Sequence, residues 1–296
     1  QTVSVTLVTP AGLRADSAVR VIKLAPGATR TVTFRTHGTL PVGSHDVQAR
    51  VEVAGHTYTN GYIPVEYDHI TPERMYRPAI VQMQSVDVKL PRGLTMGYVQ
   101  GVGDNVAPAL RDLGIPVTPI DPTELPVTDL SRYSTIVVGP RAYQANQTLI
   151  DNNAYLLAYV RNGGNLVVQY GQAEMQQAGI MPYPVTLTRP AARVTDEDAP
   201  VTVLDPRSPL LNTPNAITST DFAGWVQERA TYMPSTFDPR YTAVLQMNDP
   251  NEPPNRAAIL SAPYGKGRYT YVTLALFRQL PAAVPGGVRI FANLLR

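Results

Sequence analysis

The hydrophobic pattern predicts a strand–helix–strand unit near the middle of the chain. Residues 95–100 are short, apolar and partly β-branched, as a buried strand is. Asp104 or Asn105 can cap a helix that follows, because a short polar side chain accepts the free N–H groups of a first turn. Its apolar positions recur at helical spacing as far as Leu113, and residues 115–120 form the next strand. Two strands joined by a crossover helix predict a parallel sheet.

The pattern beyond this unit extends the sheet. Residues 135–139 are a continuous apolar run, which is typical of a strand buried on both faces. A helix is predicted at 146–162 and a further strand at 165–170. The resulting order of elements predicts a flavodoxin-like α/β domain with helices on both faces of four parallel strands, the strand around Met96 lying near the middle.

The last part of the chain departs from this alternation. Residues 171–223 are rich in Pro, Thr and Asp, which predicts an insertion over the sheet, with strands at 185–188 and 201–204. Strands are also predicted at 225–233 and 242–247. Residues 257–262 and 268–274 flank a Gly-containing turn, as in a hairpin, and 288–295 is an amphipathic helix.

The first part of the chain shows the two-residue alternation of β-structure instead. Short strands separated by Gly/Pro turns favour a small immunoglobulin-like β-sandwich at residues 1–70, with the α/β domain at 71–296. Because such a sandwich needs about seven strands, this one is predicted to be truncated. The predicted strands are residues 3–8, 19–24, 31–35, 45–53 and 56–67.

Composition limits the classes of function. The chain has 296 residues, 44% hydrophobic, and a net charge of +2 from 25 basic and 23 acidic residues. This balance gives no reason to expect nucleic acid as a partner, and no apolar run reaches the roughly 20 residues of a membrane helix. Gln1 begins inside a strand pattern without an initiator Met, so we expect a cloned fragment or a processed product.

The residue types exclude several catalytic chemistries. There is no cysteine, so the chain has no disulfide, thiolate metal site or cysteine nucleophile. The histidines all precede residue 70, so the α/β domain has no Ser–His or Cys–His pair. The histidines are His37, His45, His56 and His69.

Two loops after predicted strands resemble known site motifs. Gly101-Val102-Gly103 matches the start of a dinucleotide fingerprint, but Val106 occupies the position of the third glycine, which favours a plain tight turn. The loop 138–143 lies where many α/β enzymes carry a nucleophile elbow. Here it offers Arg141, which either binds an anionic or hydroxylated ligand or fixes the loop in an ion pair.

Loops at the carboxyl ends of parallel strands converge, and ligands bind there where the strand order reverses. The polar and aromatic residues of these loops are therefore the predicted ligand-binding set, and no catalytic or metal-binding residue is predicted. Trp225 is either a sugar-stacking platform or ordinary core, and the residues after it either pair internally or line a cleft. The predicted set is Asp104, Arg141, Tyr143, Tyr170, Gln172, Trp225, Gln227, Glu228, Arg229, Arg278 and Gln279.

Several stretches together carry a family resemblance. They include YVQGVGDNV (98–106), VVGPRAY (137–143), GGNLVVQYGQ (163–172) and DFAGWVQER (221–229). The chain resembles the C-terminal region of large exported bacterial proteins of the PIG-L (LmbE-like) deacetylase family. The resemblance implies a sandwich followed by a class I glutamine-amidotransferase-like domain, in which the nucleophile of the G-x-C-x-G motif is replaced by Arg141.

The same resemblance shapes the functional expectation. In that family a separate N-terminal domain hydrolyses N-acetyl groups on sugars with zinc held by an A-H-P-D-D type motif, and no such motif occurs in this chain. Zinc is thus implied only for that separate domain. We expect a secreted, periplasmic or cell-surface accessory region without catalysis of its own, whose partners are a glycan and the deacetylase domain. The alternatives are a hydrolase using carboxylates such as Asp104 and Glu228, and a structural or oligomerising module.

Overall fold

The computed structural model describes residues 1–296 and divides into two compact units, Gln1–Asp87 and Val88–Arg296. The sequence places this division at residue 70. It lies later because Ile80–Ser85 pairs along the long strand Gly43–Val53 and so belongs to the N-terminal unit.

The N-terminal unit contains only β-structure, and its strands pair antiparallel. The strands are β1 (Thr2–Val8), β2 (Leu13–Ala15), β3 (Val19–Lys23), β4 (Thr36–Gly38), β5 (Gly43–Val53), β6 (His56–Tyr58), β7 (Asn60–Val65), β8 (Glu73–Pro78) and β9 (Ile80–Ser85). A sheet in the order β3-β1-β5-β6 also carries β9 on β5, and β2 pairs with β4. The predicted strand at 31–35 is wrong: its residues form no ladder, and the strand begins at Thr36. Alternation predicts an extended chain but not a partner for it.

Strands β7 and β8 form a separate two-stranded ribbon, called the ribbon below. At the point where they leave β5, the Ala79 N–H donates to the Thr59 carbonyl (2.7 Å) and the Ala49 N–H donates to the Ala79 carbonyl (2.8 Å). Beyond that junction β7 and β8 pair only with each other. Every residue of the ribbon is exposed except Val65, which is half-buried. The ribbon therefore projects from the sheet.

The C-terminal unit contains a seven-stranded mixed sheet and seven α-helices. Its strands are β10 (Met96–Val99), β11 (Thr118–Pro119), β12 (Thr135–Val138), β13 (Asn165–Gln169), β14 (Val185–Thr186), β15 (Ala192–Val194), β16 (Val201–Val203), β17 (Ala230–Met233), β18 (Thr236–Phe237), β19 (Thr242–Ala243), β20 (Leu245–Met247), β21 (Ile259–Tyr264) and β22 (Gly267–Val272). Its helices are α1 (Val106–Asp112), α2 (Ala142–Ala145), α3 (Gln147–Asp151), α4 (Asn153–Arg161), α5 (Pro209–Asn212), α6 (Leu276–Gln279) and α7 (Pro285–Leu294).

The large sheet runs in the order β11-β10-β12-β13-β22-β21-β19. The four predicted strands, β10 to β13, are parallel neighbours, which confirms that prediction. The expected central place of the Met96 strand is wrong, because the predicted hairpin β21–β22 adds to the free side of β13 with β22 parallel to it. The centre of the sheet is therefore β13.

Helices cover both faces of this sheet. On one face Leu149, Leu156 and Val160 of α3 and α4 pack on Ile136 and Leu166. On the other face the C-terminal end of α7 is anchored, since Thr135 Oγ1 donates to the Leu295 carbonyl (2.7 Å) and Asn165 Nδ2 donates to the Leu294 carbonyl (2.9 Å). The predicted single helix at 146–162 is divided at Asn152. None of the helices has the length and apolar character of a membrane span.

Three short antiparallel ladders, β14–β18, β15–β17 and β16–β20, pair the strands of the insertion with strands that follow it in the chain. Of these following strands, β17 reaches the large sheet, where the Thr231 N–H donates to the Thr273 carbonyl (2.9 Å) and the Ala275 N–H donates to the Arg229 carbonyl (2.9 Å). The strand predicted at 225–233 begins only at Ala230. Consequently β17 lies over the carboxyl end of β22.

Candidate functional site

The crevice expected where the strand order reverses, between β10 and β12, is filled by backbone. The Val102 N–H donates to the Pro140 carbonyl (2.9 Å). A Cβ on Gly101 would lie 2.4 Å from that carbonyl oxygen, and a Cβ on Gly139 would lie 2.5 Å from the Gly101 nitrogen. Only glycines allow the two loops to come this close. The two loops therefore lie in direct contact at the reversal point, where the ligand position was predicted.

Asp104 is a structural residue of this contact. One carboxylate oxygen accepts hydrogen bonds from the Tyr98 hydroxyl (2.5 Å) and the Gly101 N–H (3.0 Å), and the other accepts from the Val106 N–H (2.7 Å). Burial, together with the Asp104 charge and hydrogen bond, raises the pKa of Tyr98 well above 10. With both oxygens engaged, Asp104 bonds the first N–H of α1 and holds the loop in place rather than facing a ligand.

An aromatic cluster lies one strand further along, at the carboxyl ends of β13 and β22. Tyr170 directly follows β13, and its ring stacks on Tyr232 of β17 with centroids 5.5 Å apart and planes 3° apart. Phe277 of α6 packs against Tyr170 at 5.5 Å with its ring tilted. We call Tyr170, Tyr232, Phe277 and the polar groups around them the Tyr170 cluster.

Charged side chains surround the Tyr170 hydroxyl. Burial raises the pKa of Tyr170 to about 12, with the positive charges of Arg141 and Arg278 opposing the shift and Glu228 adding to it. Arg278 Nε donates to Glu228 Oε1 at 2.8 Å, in an ion pair that is partly exposed. The phenol therefore stays protonated at neutral pH. It can donate a hydrogen bond but cannot act as a base.

Gln172 extends the cluster into a pocket. Its Nε2 donates to the Tyr232 hydroxyl at 2.7 Å. A pocket of about 320 Å³ opens beside this pair and is also lined by Gln176, Leu187 and Arg189. Amide, guanidinium and phenol groups thus meet a concave surface, which is the usual composition of a small-ligand site. A larger pocket of about 440 Å³ lies at the opposite, amino ends of the parallel strands, around Tyr133 and Gly164.

Backbone geometry is unusual around the Tyr170 cluster. Arg141 (φ 57°) and Tyr232 (φ 51°) both adopt the left-handed conformation that non-glycine residues rarely occupy. The register between β15 and β17 shifts, because Ala192 pairs with Met233 and Val194 pairs with Ala230. One residue of β15 therefore faces two of β17, a β-bulge, which re-aims the side chains of the bulged strand.

The structure brings together five of the predicted site residues and separates the rest. Arg141, Tyr170, Gln172, Glu228 and Arg278 lie in or around the Tyr170 cluster. Gln227 is exposed, with φ 68° and no part in the cluster.

The other predicted residues satisfy backbone or core groups. The Tyr143 hydroxyl donates to Asn153 Oδ1 (2.6 Å) and Trp225 Nε1 donates to the Asp221 carbonyl (2.9 Å), both rings being buried. Of the two interpretations of Trp225, the core one therefore holds.

Arg229 and Gln279 are likewise buried. Arg229 lies over the Trp225 ring and donates to the Ala199 and Phe222 carbonyls. Gln279, fully buried, accepts from the Val226 N–H (2.9 Å) and donates to the Val226 carbonyl (3.0 Å). Neither side chain faces a crevice, so both hold the insertion in place.

Two cluster members were missed by the sequence analysis. Phe277 directly precedes the predicted Arg278, and its apolar type favours a core assignment. Tyr232 lies in a predicted strand, but only the bulge directs it to Tyr170. The sequence signal for Tyr232 is its aromatic type in a strand that follows the insertion, and this signal does not establish its partner.

The polar groups do not fit a metal ion. In residues 1–296 no three His, Asp or Glu side chains converge on a point that could hold one. A zinc ion needs three or four such ligands. The cluster itself contributes one carboxylate, which is already paired with Arg278.

Comparisons with known proteins give weak likenesses only. No protein-family model and no curated protein matches the chain. A ThuA-like protein from Bacteroides uniformis is 13% identical with a TM-score of 0.45, over 72% of this chain and 93% of that one. A cytoplasmic protein of Salmonella typhimurium is 12% identical with a TM-score of 0.43, over 80% and 94%.

The β-galactosidase from Rahnella sp. R3 is 16% identical with a TM-score of 0.41, over 68% of this chain and 30% of the enzyme. The chain thus spans under a third of that enzyme. These identities and TM-scores are too low to support any conclusion about function.

Proposed function

We propose that this chain is a non-catalytic accessory region of a PIG-L/LmbE-like deacetylase protein, exported from the cell, and that the Tyr170 cluster binds glycan. The finer fold assignment belongs to the same proposal: a flavodoxin-like, amidotransferase-like domain preceded by an immunoglobulin-like sandwich. The strand order β11-β10-β12-β13-β22 supports the flavodoxin-like assignment, since it follows the 2-1-3-4-5 order of flavodoxin-like sheets.

The composition of the Tyr170 cluster carries the proposal. A sugar presents an apolar ring face and a rim of hydroxyls, and the cluster offers the aromatic rings of Tyr232 and Phe277 beside the polar heads of Gln172, Arg141 and Arg278. Aromatic rings contribute large contact areas, and guanidinium and amide groups supply directional hydrogen bonds. Left-handed backbone at Arg141 and Tyr232 adds support, because such conformations concentrate at functional sites.

The same groups do not suit catalysis. Arg141 occupies the elbow, Tyr170 is protonated at neutral pH, and Glu228 is held by Arg278. Asp104, the second carboxylate of the hydrolase alternative, is enclosed by Tyr98 and two backbone N–H groups. Nucleophilic catalysis needs a nucleophile and a base within hydrogen-bond reach, and this edge of the sheet offers no such pair.

The test is binding to a glycan array, followed by calorimetric titration of the glycans that bind. We expect Arg141→Ala and Tyr232→Ala each to weaken binding by about tenfold, the equivalent of one lost hydrogen bond or stacking contact. Thermal unfolding of Arg141→Ala should change little, since its partly exposed side chain bonds only to Gln144. Arg111→Ala, an exposed arginine on α1, is the matched control.

Two results would overturn the proposal. Binding that is unchanged in both variants would leave the Tyr170 cluster without this role, and a collapsed melting temperature in Arg141→Ala would make that residue structural. The parentage is tested separately by reading the coding sequence upstream of Gln1, which should encode a zinc deacetylase motif.

A further inference from the structure

The ribbon presents large exposed side chains on both of its faces. Tyr62, Ile63, Met75 and Tyr76 are 52%, 45%, 41% and 64% exposed. A two-stranded ribbon in water is marginally stable on its own and normally rests on further structure. The feature to explain is therefore what covers it.

The edges of the ribbon do not invite another strand. Pro64 lies in β7 and Pro78 ends β8, and neither has an N–H to donate. Proline on an edge strand is a common protection against strand addition. A partner therefore meets a face of the ribbon rather than an edge.

The two faces differ in character. In the register of the ribbon Ile63 lies opposite Met75, Gly61 opposite Arg77 and Val65 opposite Glu73. Because side chains alternate along a strand, these six residues share one face, called the Met75 face below. The opposite face carries Tyr62 and Tyr76, and there the Arg74 guanidinium already lies over the Tyr62 ring at 4.8 Å.

The charges of the Met75 face are placed symmetrically about its centre. Glu73 lies two residues before Met75 and Arg77 two residues after it. Neither takes part in an ion pair within the chain, and the polar contact of Arg77 is with the Met75 sulfur at 3.9 Å. The face therefore has an apolar centre with opposite charges at its two ends.

We propose that the Met75 face is a self-association surface whose occupant is the Met75 face of a second copy of this chain. A two-fold axis at Ile63 and Met75 packs these side chains against their own copies. It also sets Arg77 of each chain opposite Glu73 of the other, so a single contact forms two identical ion pairs. Self-complementarity of this kind is what a symmetric dimer interface requires.

The size of the face sets the strength of the dimer. Six residue pairs span about 20 Å at roughly 3.4 Å per residue, and the ribbon is two strands wide. Such a face buries less than the roughly 800 Å² per partner of a standard stable interface. The dimer is therefore weak, with a dissociation constant that is micromolar or higher.

The test is sedimentation equilibrium of the full chain over a range of concentrations. Wild type should show a monomer–dimer equilibrium. Arg77→Glu and Glu73→Arg should each weaken self-association by about tenfold or more, because each replaces two attractive pairs with two repulsive ones. Met75→Ser should weaken it as well. Val21→Ser, an exposed valine on β3, and Arg30→Glu, an exposed arginine elsewhere in the unit, are the controls.

A mixture of the two charge variants gives the decisive result. Each variant repels its own copies, but Arg77→Glu mixed with Glu73→Arg restores both opposite-charge pairs, so the mixture should dimerise as wild type does. This restoration also excludes misfolding as the reason for the single-variant losses. A monomeric wild type at several hundred micromolar, or dimerisation of Arg77→Glu at wild-type strength, would overturn the proposal.

Discussion

Gln279 provides the sharpest test of whether a polar residue in this unit serves the fold or a ligand. Its side-chain amide is fully buried and pairs with both backbone groups of Val226, much as a second peptide would. Gln279→Leu keeps the approximate volume and removes the donor and the acceptor together. The Val226 N–H then has no partner, whereas the Val226 carbonyl keeps its hydrogen bond from the Glu228 N–H (2.9 Å).

The magnitude follows from that N–H group. A buried backbone group left without a partner costs about 1–3 kcal/mol, so we expect a loss of about 1–3 kcal/mol in the free energy of unfolding. For a unit of about 200 residues this lowers the melting temperature by roughly 2–12 °C. Trp225, the single tryptophan, is buried next to Val226 and reports unfolding of this region by fluorescence in urea.

Gln279→Glu adds a pH signature to the same test. A carboxylate at this buried position faces the Val226 carbonyl, so its pKa in the folded chain is raised above the unfolded value of about 4.3. The variant should therefore be most stable below pH 4.3, where the protonated acid can still donate to the carbonyl. It should lose stability as pH rises through the raised pKa. A Gln279→Leu variant that melts like wild type but binds glycan poorly would refute the structural role.

Three further expectations follow from other contacts. Tyr98→Phe removes a charge-assisted hydrogen bond to Asp104 and should cost about 2 kcal/mol in urea unfolding; unchanged stability would mean that Asp104 is held by its two N–H donors alone. Gly286→Ala places a Cβ 1.6 Å from the Asp221 carbonyl oxygen and should cost about 3 kcal/mol or more by the same measurement. Gly61→Ala, with open space around its Cβ, should be neutral, and equal stability of the two variants would contradict the close packing. The chain alone should release no acetate from N-acetylglucosamine derivatives, with or without zinc, and zinc-stimulated release would falsify the non-catalytic proposal.

Much of the α/β fold was predictable because its strands are buried on both faces. The continuous apolar runs at β10, β12 and β13 have no amphipathic alternative, and they formed parallel neighbours as predicted. Strand order was harder to predict from the sequence, because the pattern that predicts the hairpin β21–β22 carries no information on which edge of the sheet it joins. In the N-terminal unit alternation predicted extended chain, but only the observed register shows that β9 belongs to β5.

The candidate site was predictable only by chain position. Polar residues after parallel strands are equally able to meet a ligand or to satisfy a backbone group, and their type does not separate the two. Arg141, Gln172 and Arg278 lie at the Tyr170 cluster, whereas the side chains of Asp104 and Gln279 already form hydrogen bonds with neighbouring backbone groups. The contribution of Tyr232 depends on a bulge and on the insertion, both of which are long-range features.

The left-handed backbone of Arg141 bears on how this unit could change over evolutionary time. The sharp turn after β12 is held by neighbours rather than by its own side chain, since the Arg141 N–H donates to the Tyr170 carbonyl (2.8 Å) and Gly139 lies against Gly101. A non-glycine residue in this conformation costs about 1–2 kcal/mol, and the surrounding fold already offsets it. A different residue at this position can therefore take the existing backbone conformation. One codon change can replace the guanidinium with a different reactive group, whereas recreating the turn would require several coordinated substitutions.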